Sequence, residues 1–329
     1  MAVYIARRFF FALLTIWAIS VITFLIIQLP PGDYVTIYIA QLEATGGVVG
    51  DEEAKALREQ YGVNQPFIVQ YYKWVRSILR GNFGLAFEYQ RPVSEVIGDR
   101  LWLTAALTFV SIMFTWILAI PIGIYSAVRQ YSIGDYAFTF VGFIGLAIPN
   151  FLLAMILIYV GIVWFGSSVG GLFSAEYVDQ PWNLARTLDL LSHLWLPSLV
   201  LAIAGTAQLI RVLRANLLDE LRKPYVVTAR AKGLSEWQVI FKYPLRVALN
   251  PLISTIGYLL PLIVSGSIIV SVVMNLPTMG PLLLKALLAQ DMFLAGTIVL
   301  LIGIMTVIGT FISDLLLAWV DPRIRLENL

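Results

Sequence analysis

The stretch 221–251, LRKPYVVTARAKGLSEWQVIFKYPLRVALNP, holds the side chains whose types and spacing say most about what this chain does. Pro224 suits the first turn of a helix, where its missing N–H is not needed. Ala229 and Ala231 lead to Gly233, a residue type that closes helices by taking a left-handed backbone. Ser235 and Gln238 stand three apart, the spacing of a capping box that opens a second helix. Pro244 then interrupts that helix. The expected product is a helix–turn–helix elbow with basic flanks, Arg222 and Lys223 before it and Lys242 and Arg246 toward its end. Its chemistry is recognition and not bond making, because an elbow presenting small residues is shaped to enter a groove on another protein. A solvated connection between two membrane spans is the other reading these residues allow.

Bond-making groups are scarce elsewhere. The sequence has no Cys, which excludes disulfides and thiolate catalysis, and its single His excludes a His cluster for zinc. No Gly-x-x-x-x-Gly-Lys-Ser/Thr run is present, so the chain supplies no loop to cradle nucleotide phosphates. No basic patch with interleaved aromatics occurs outside the segments that flank apolar runs, and nucleic acid is not an expected partner. Asp314 is the one carboxylate well inside an apolar run, near its end, and is expected to pair with a Lys or Arg. His193 is expected at a helix start, as a capping or packing residue.

The elements that must position the elbow are read from where charge is missing. Of the residues, 59% are hydrophobic and 13% charged, against roughly 25% charged in soluble domains. No Asp, Glu, Lys or Arg occurs within 9–28, 101–128, 136–175, 247–284 or 292–313, and 190–210 carries only His193. A helix needs about 20 apolar residues to cross a bilayer. The fold class is therefore all-α integral membrane, with about six transmembrane helices. Residues 1–29 form the N-terminus and first span, 30–100 a long external region with short helices, and 101–329 a five-helix core with the elbow at 221–250.

Arg7 and Arg8 precede a first apolar run too long for a signal peptide, so the run reads as an uncleaved helix. Lys and Arg concentrate in the N-terminus, 129–135, 211–246 and 321–329, whereas the two short loops on the other side hold only Arg186 and Lys285. The positive-inside rule then puts both termini and the elbow in the cytoplasm. In the long outer segment, 51–61 reads as a short polar helix. Phe67, Tyr71, Trp74, Val75 and Ile78 recur on one helical face, ended by Gly81. That face suits the membrane interface, the mouth of a pore, or packing against the spans. Pro121, Pro149, Pro197 and Pro261, with nearby glycines, punctuate the spans as kinks or close contacts.

At Thr228-Ala229-Arg230-Ala231-Lys232-Gly233-Leu234 the sequence resembles the coupling segment of permeases in bacterial ABC importers. In detail it is similar to the peptide/nickel branch, the subunit type of dipeptide and oligopeptide permeases. The resemblance covers nearly the whole chain, through Tyr4-Ile5-Ala6-Arg7-Arg8, Pro31-Gly32-Asp33, Gly81-Asn82-Phe83-Gly84, Ala147-Ile148-Pro149-Asn150-Phe151, His193-Leu194-Trp195-Leu196-Pro197 and Asp321-Pro322-Arg323. Departures are Val227 where the family's glutamate stands, Tyr243-Pro244, and Ser271 with Leu276-Pro277-Thr278-Met279-Gly280 in the outer pattern.

The resemblance implies a type I ABC importer permease fold in a prokaryotic cytoplasmic membrane, with Tyr225, Thr228, Ala229, Arg230, Ala231, Lys232, Gly233 and Leu234 as the residues that couple to an ATPase. The implied partners are a second homologous permease, two cytoplasmic ATPase subunits, an external solute-binding protein and the lipid bilayer. No cofactor or metal is expected in this chain, since ATP and Mg²⁺ would be used by the ATPases. Peptides are the implied cargo, oligosaccharides the alternative within the same importer type, and an ion-coupled secondary transporter the alternative outside it.

Overall fold

The computed structural model describes residues 2–28, 65–86, 88–166, 170–178 and 180–320, with a few positions between 39 and 59. The polar helix expected over 51–61 lies mostly outside the described residues, and Pro31–Asp33 and Asp321–Arg323 lie wholly outside them. The chain runs α1 (Ala2–Gln28), α2 (Phe67–Leu79), a hairpin of β1 (Leu85–Ala86) and β2 (Arg91–Pro92), α3 (Val93–Ile97), α4 (Arg100–Val128), α5 (Ile133–Ala147), α6 (Asn150–Phe165) and α7 (Leu184–Leu221). The elbow follows as α8 (Pro224–Ala231), α9 (Glu236–Lys242) and α10 (Pro244–Ala248), then α11 (Asn250–Val273), α12 (Met279–Leu288) and α13 (Met292–Val320).

The expected crossings take two forms among the described residues. Among the described residues α1, α3 with α4, α7 and α13 are each long and apolar enough to span. The fifth is broken: α5 and α6 qualify only as a pair, bent by 103°. The break sits before Pro149, whose ring forbids helical backbone at Ile148 and leaves it extended at φ −85°, ψ 121°. The 24 residues of α11 carry no charge, and among the described residues its part Leu262–Val273 stands as a shorter apolar helix. The two-residue antiparallel hairpin was not expected; it packs Ala86 with Val93, Val96 and Ile97 of α3 onto α12 and α13.

Buried hydroxyls line α4, and small residues close its contact with α7. Thr104, Thr108, Ser111 and Thr115 of α4 are buried, and each hydroxyl donates to a carbonyl one turn back at 2.7–2.9 Å. Bonded this way, they can face apolar neighbours without an unpaired donor. A Cβ at Gly123 would lie 2.9 Å from Leu213 of α7, so the glycine is what lets the helices close up. The same device joins α1 to α13, where Ile27 and Ile19 fill the spaces over Gly296 and Gly303.

Ion pairs fasten the bundle at the end that carries the elbow. Asp135 at the start of α5 takes two bonds from Arg214 of α7, at 3.1 and 2.9 Å. Asp314 has the expected basic partner, Arg8 of α1 at 3.1 Å. The aromatic face of α2 is used for packing: Tyr71 and Trp74 lie on Phe24 of α1, with ring centroids at 5.5 and 5.4 Å. His193 is not at a helix start, because α7 begins at Leu184 with Asn183 as its cap; its Nδ1 sits 2.8 Å from the Asp189 carbonyl.

Candidate functional site

Each punctuation residue of the elbow does what its chemistry dictates. Pro224 occupies the first turn of α8. Gly233 stands at φ +79°, a left-handed backbone that glycine adopts without a Cβ penalty. Its N–H donates to the Arg230 carbonyl at 2.9 Å, and the Leu234 N–H reaches the Ala229 carbonyl at 3.5 Å. That pair of bonds is the Schellman closure, which satisfies carbonyls a helix end otherwise leaves bare. The capping box at Ser235 and Gln238 forms, with the Ser235 N–H donating to Gln238 Oε1 at 3.3 Å. Pro244 separates α9 from α10.

Packing divides the elbow into a small inner core and an outer face. Val226 and Ala229 of α8 meet Val239 of α9, with Leu234 and Tyr243 closing the sides. Val226 and Val239 are fully buried and Ala229 is 5% exposed. This corrects one expectation about the coupling residues. Ala229 does not face outward toward a partner; its small side chain lets α8 approach α9, and a larger one would split the elbow itself.

The other coupling candidates are placed as follows. Leu234 is half-buried beside Ala229, while Tyr225, Thr228, Arg230, Ala231, Lys232 and Gly233 are exposed. Nothing lies within 4 Å of where a Gly233 Cβ would be, so that surface is open. Thr228 Oγ1 donates to the Pro224 carbonyl at 3.0 Å, and Arg230 holds Glu236 with two bonds at 2.9 and 3.2 Å across the turn. The Tyr225 hydroxyl donates to Glu220. Burial, then that hydrogen bond to a carboxylate, pushes the phenol up to about 12, so it stays a neutral donor.

The second and third elbow helices are rooted in the spans. Ile240 of α9 and Leu245 and Ala248 of α10 share one core with Ala119, Ile124 and Ala127 of α4 and with Leu209, Leu213 and Leu217 of α7. Sequence reading passed over these anchors and over Val226 and Val239. The spacing of Val226 and Ala229, three apart on one helical face, was the available signal. Contacts therefore run from α8 through the Val226–Ala229–Val239 cluster to α9, and from Ile240 and Leu245 to α4 and α7. No group of three or more His, Asp or Glu able to hold a metal occurs among the described residues.

Comparison with known proteins gives the family and the fold. The family described as binding-protein-dependent transport system inner membrane component matches residues 119–326, and its N-terminal companion matches residues 1–108. The oligopeptide transport system permease protein AppB of Bacillus subtilis is 37% identical over 99% of this chain and 100% of its own length. A protein of Sinorhizobium fredii named a probable peptide ABC transporter permease is 30% identical over 99% of this chain and 100% of its own. Among solved structures, inward-facing MetNI methionine ABC transporter matches with a TM-score of 0.51 and 21% identity, over 69% of this chain and 96% of that one. That likeness is one of fold.

Proposed function

The chain belongs to the family of binding-protein-dependent transport inner membrane components, and on that premise we propose that it is the permease subunit through which an ATP-driven importer moves peptides. The observation that carries the reading is the elbow: α8 offers an open outer face while α9 and α10 are set into the core of the spans. A partner that grips α8 moves the spans. Peptides are assigned as cargo because relatives of equal length are named for peptide or oligopeptide transport.

In this reading the chain is not catalytic. Two separate ATPase subunits use ATP and Mg²⁺, a second homologous permease completes the pathway, and an external binding protein delivers cargo. The termini and the elbow lie on the cytoplasmic side, a placement supported by the crowding of Lys and Arg there. Pairing of Asp314 with Arg8 argues against that carboxylate as a carried-proton site of a secondary transporter.

The test is uptake into vesicles holding the complete complex. An oligopeptide should enter only with ATP and the binding protein, and an oligosaccharide should not enter. Sugar uptake in its place would replace the cargo assignment, and uptake driven by an ion gradient without ATP would overturn the importer reading. Single cysteines at Glu88 and Ser235 should react with an impermeant reagent from opposite sides; reaction of both from one side would refute the proposed orientation.

A further inference from the structure

Beside the elbow, a cavity of about 590 Å³ opens between α9 and the last two turns of α4. Its walls are apolar, from Pro121, Ile124 and Val128 on one side and Trp237, Ile240 and Phe241 on the other. That size falls within the roughly 300–1,000 Å³ of small-ligand sites. Trp237 and Phe241 stack at 5.4 Å yet remain 69% and 48% exposed, the placement of aromatics that sit at a membrane surface.

Charge at the rim decides what fits. Arg129 lines the cavity and is the first charged residue after the uncharged run 101–128, so it lies where hydrocarbon gives way to headgroups. It is exposed and has no acidic partner among the described residues. Glu236 is the one carboxylate on the wall, and Arg230 neutralises it through two bonds at 2.9 and 3.2 Å. An apolar slot with a guanidinium at its mouth that has no acidic partner among the described residues, set at the end of a membrane helix, complements a lipid tail joined to a phosphate.

We propose that this cavity binds an anionic phospholipid from the leaflet on the elbow side, with an acyl chain against Ile124, Val128 and Ile240 and the phosphate on Arg129. The site adjoins the helix that links the elbow to the spans. A lipid seated there wedges α9 against α4 and stiffens the root of the lever, so coupled transport depends on anionic lipid. This goes beyond the importer reading and does not depend on which cargo is carried.

The experiment uses the complete complex with phosphatidylglycerol or phosphatidylcholine as probes. Native mass spectrometry should show phosphatidylglycerol retained by this chain, and Arg129→Gln should lower that retention about fivefold. Val128→Trp, which fills the slot from an exposed position, should abolish it. Uptake by the wild type should fall in pure phosphatidylcholine vesicles, and Arg129→Gln should show that low uptake in both lipids while ATP hydrolysis persists. Equal phosphatidylglycerol retention by wild type and both variants would overturn the proposal. So would uptake insensitive to lipid charge, or photocross-links from position 241 to a protein partner in place of lipid.

Discussion

The two halves of the elbow are built from the same short segment but held in different ways. Helix α8 touches the rest of the chain chiefly through Val226 and Ala229 on Val239, and turns Tyr225, Thr228, Arg230 and Ala231 outward. Helices α9 and α10 place Ile240, Leu245 and Ala248 inside a core shared with α4, α7 and α11. On the proposed coupling, one half is a handle and the other a root. The difference teaches that gripping and transmission are separable, and that substitutions in each half should fail in distinguishable ways.

The largest effect is expected at the root. Leu245→Ala removes a buried side chain from the shared core, at a cost of about 2–5 kcal/mol. ATPase subunits should still be retained and still hydrolyse ATP, while uptake falls at least tenfold. Loss of ATPase retention equal to the loss of uptake would erase the distinction between root and handle.

At the handle, two alanines two residues apart should behave oppositely. Ala229→Trp overpacks the inner core by about 1–3 kcal/mol and should loosen the elbow itself, seen as faster proteolysis between α8 and α9. Ala231→Trp lies on exposed surface and should leave proteolysis unchanged while weakening ATPase pull-down. Identical behaviour of the two variants would contradict the inside–outside assignment.

A smaller effect belongs to the turn. Gly233→Val forces a β-branched residue into left-handed backbone, costing about 1–2 kcal/mol, or roughly five- to thirtyfold in docking. Gly233→Asn tolerates that backbone and should recover most of the pull-down. Because no atom lies within 4 Å of the Cβ position, a defect in Asn as large as in Val would point to direct contact with the partner there. Smallest of all is Tyr225→Phe, which removes one exposed bond to Glu220 and should change uptake less than about threefold, with no pH dependence between 6 and 8. The phenol, raised to about 12, holds its proton throughout that window; stability from the raised value is complete below the ordinary value of 10 and is lost as pH climbs toward 12.

Much of the fold was legible because a bilayer demands uninterrupted apolar runs, and the uncharged stretches of the sequence coincide with α1, α4, α7, α11 and α13. The elbow's boundaries were legible for a local reason as well. Pro224, Gly233, the Ser235–Gln238 pair and Pro244 act on backbone within a few residues of themselves, so their effect needs no knowledge of distant chain.

What required the tertiary structure was every question of direction and distant pairing. A small residue such as Ala229 fits equally an outer face or a close internal contact, and only the position of Val239 decides between them. The joining of Asp135 to Arg214 and of Arg8 to Asp314 depends on how whole helices lie against each other. The break at Pro149 was marked in the sequence, but its 103° angle follows from where α5 and α6 pack on α7 and α11. Sequence by itself determined the membrane, the uncharged apolar stretches and the stops of the elbow, because solvation and backbone sterics are local. Tertiary packing decided which elbow helix is root and which is handle, because that depends on which neighbours fill the remaining volume.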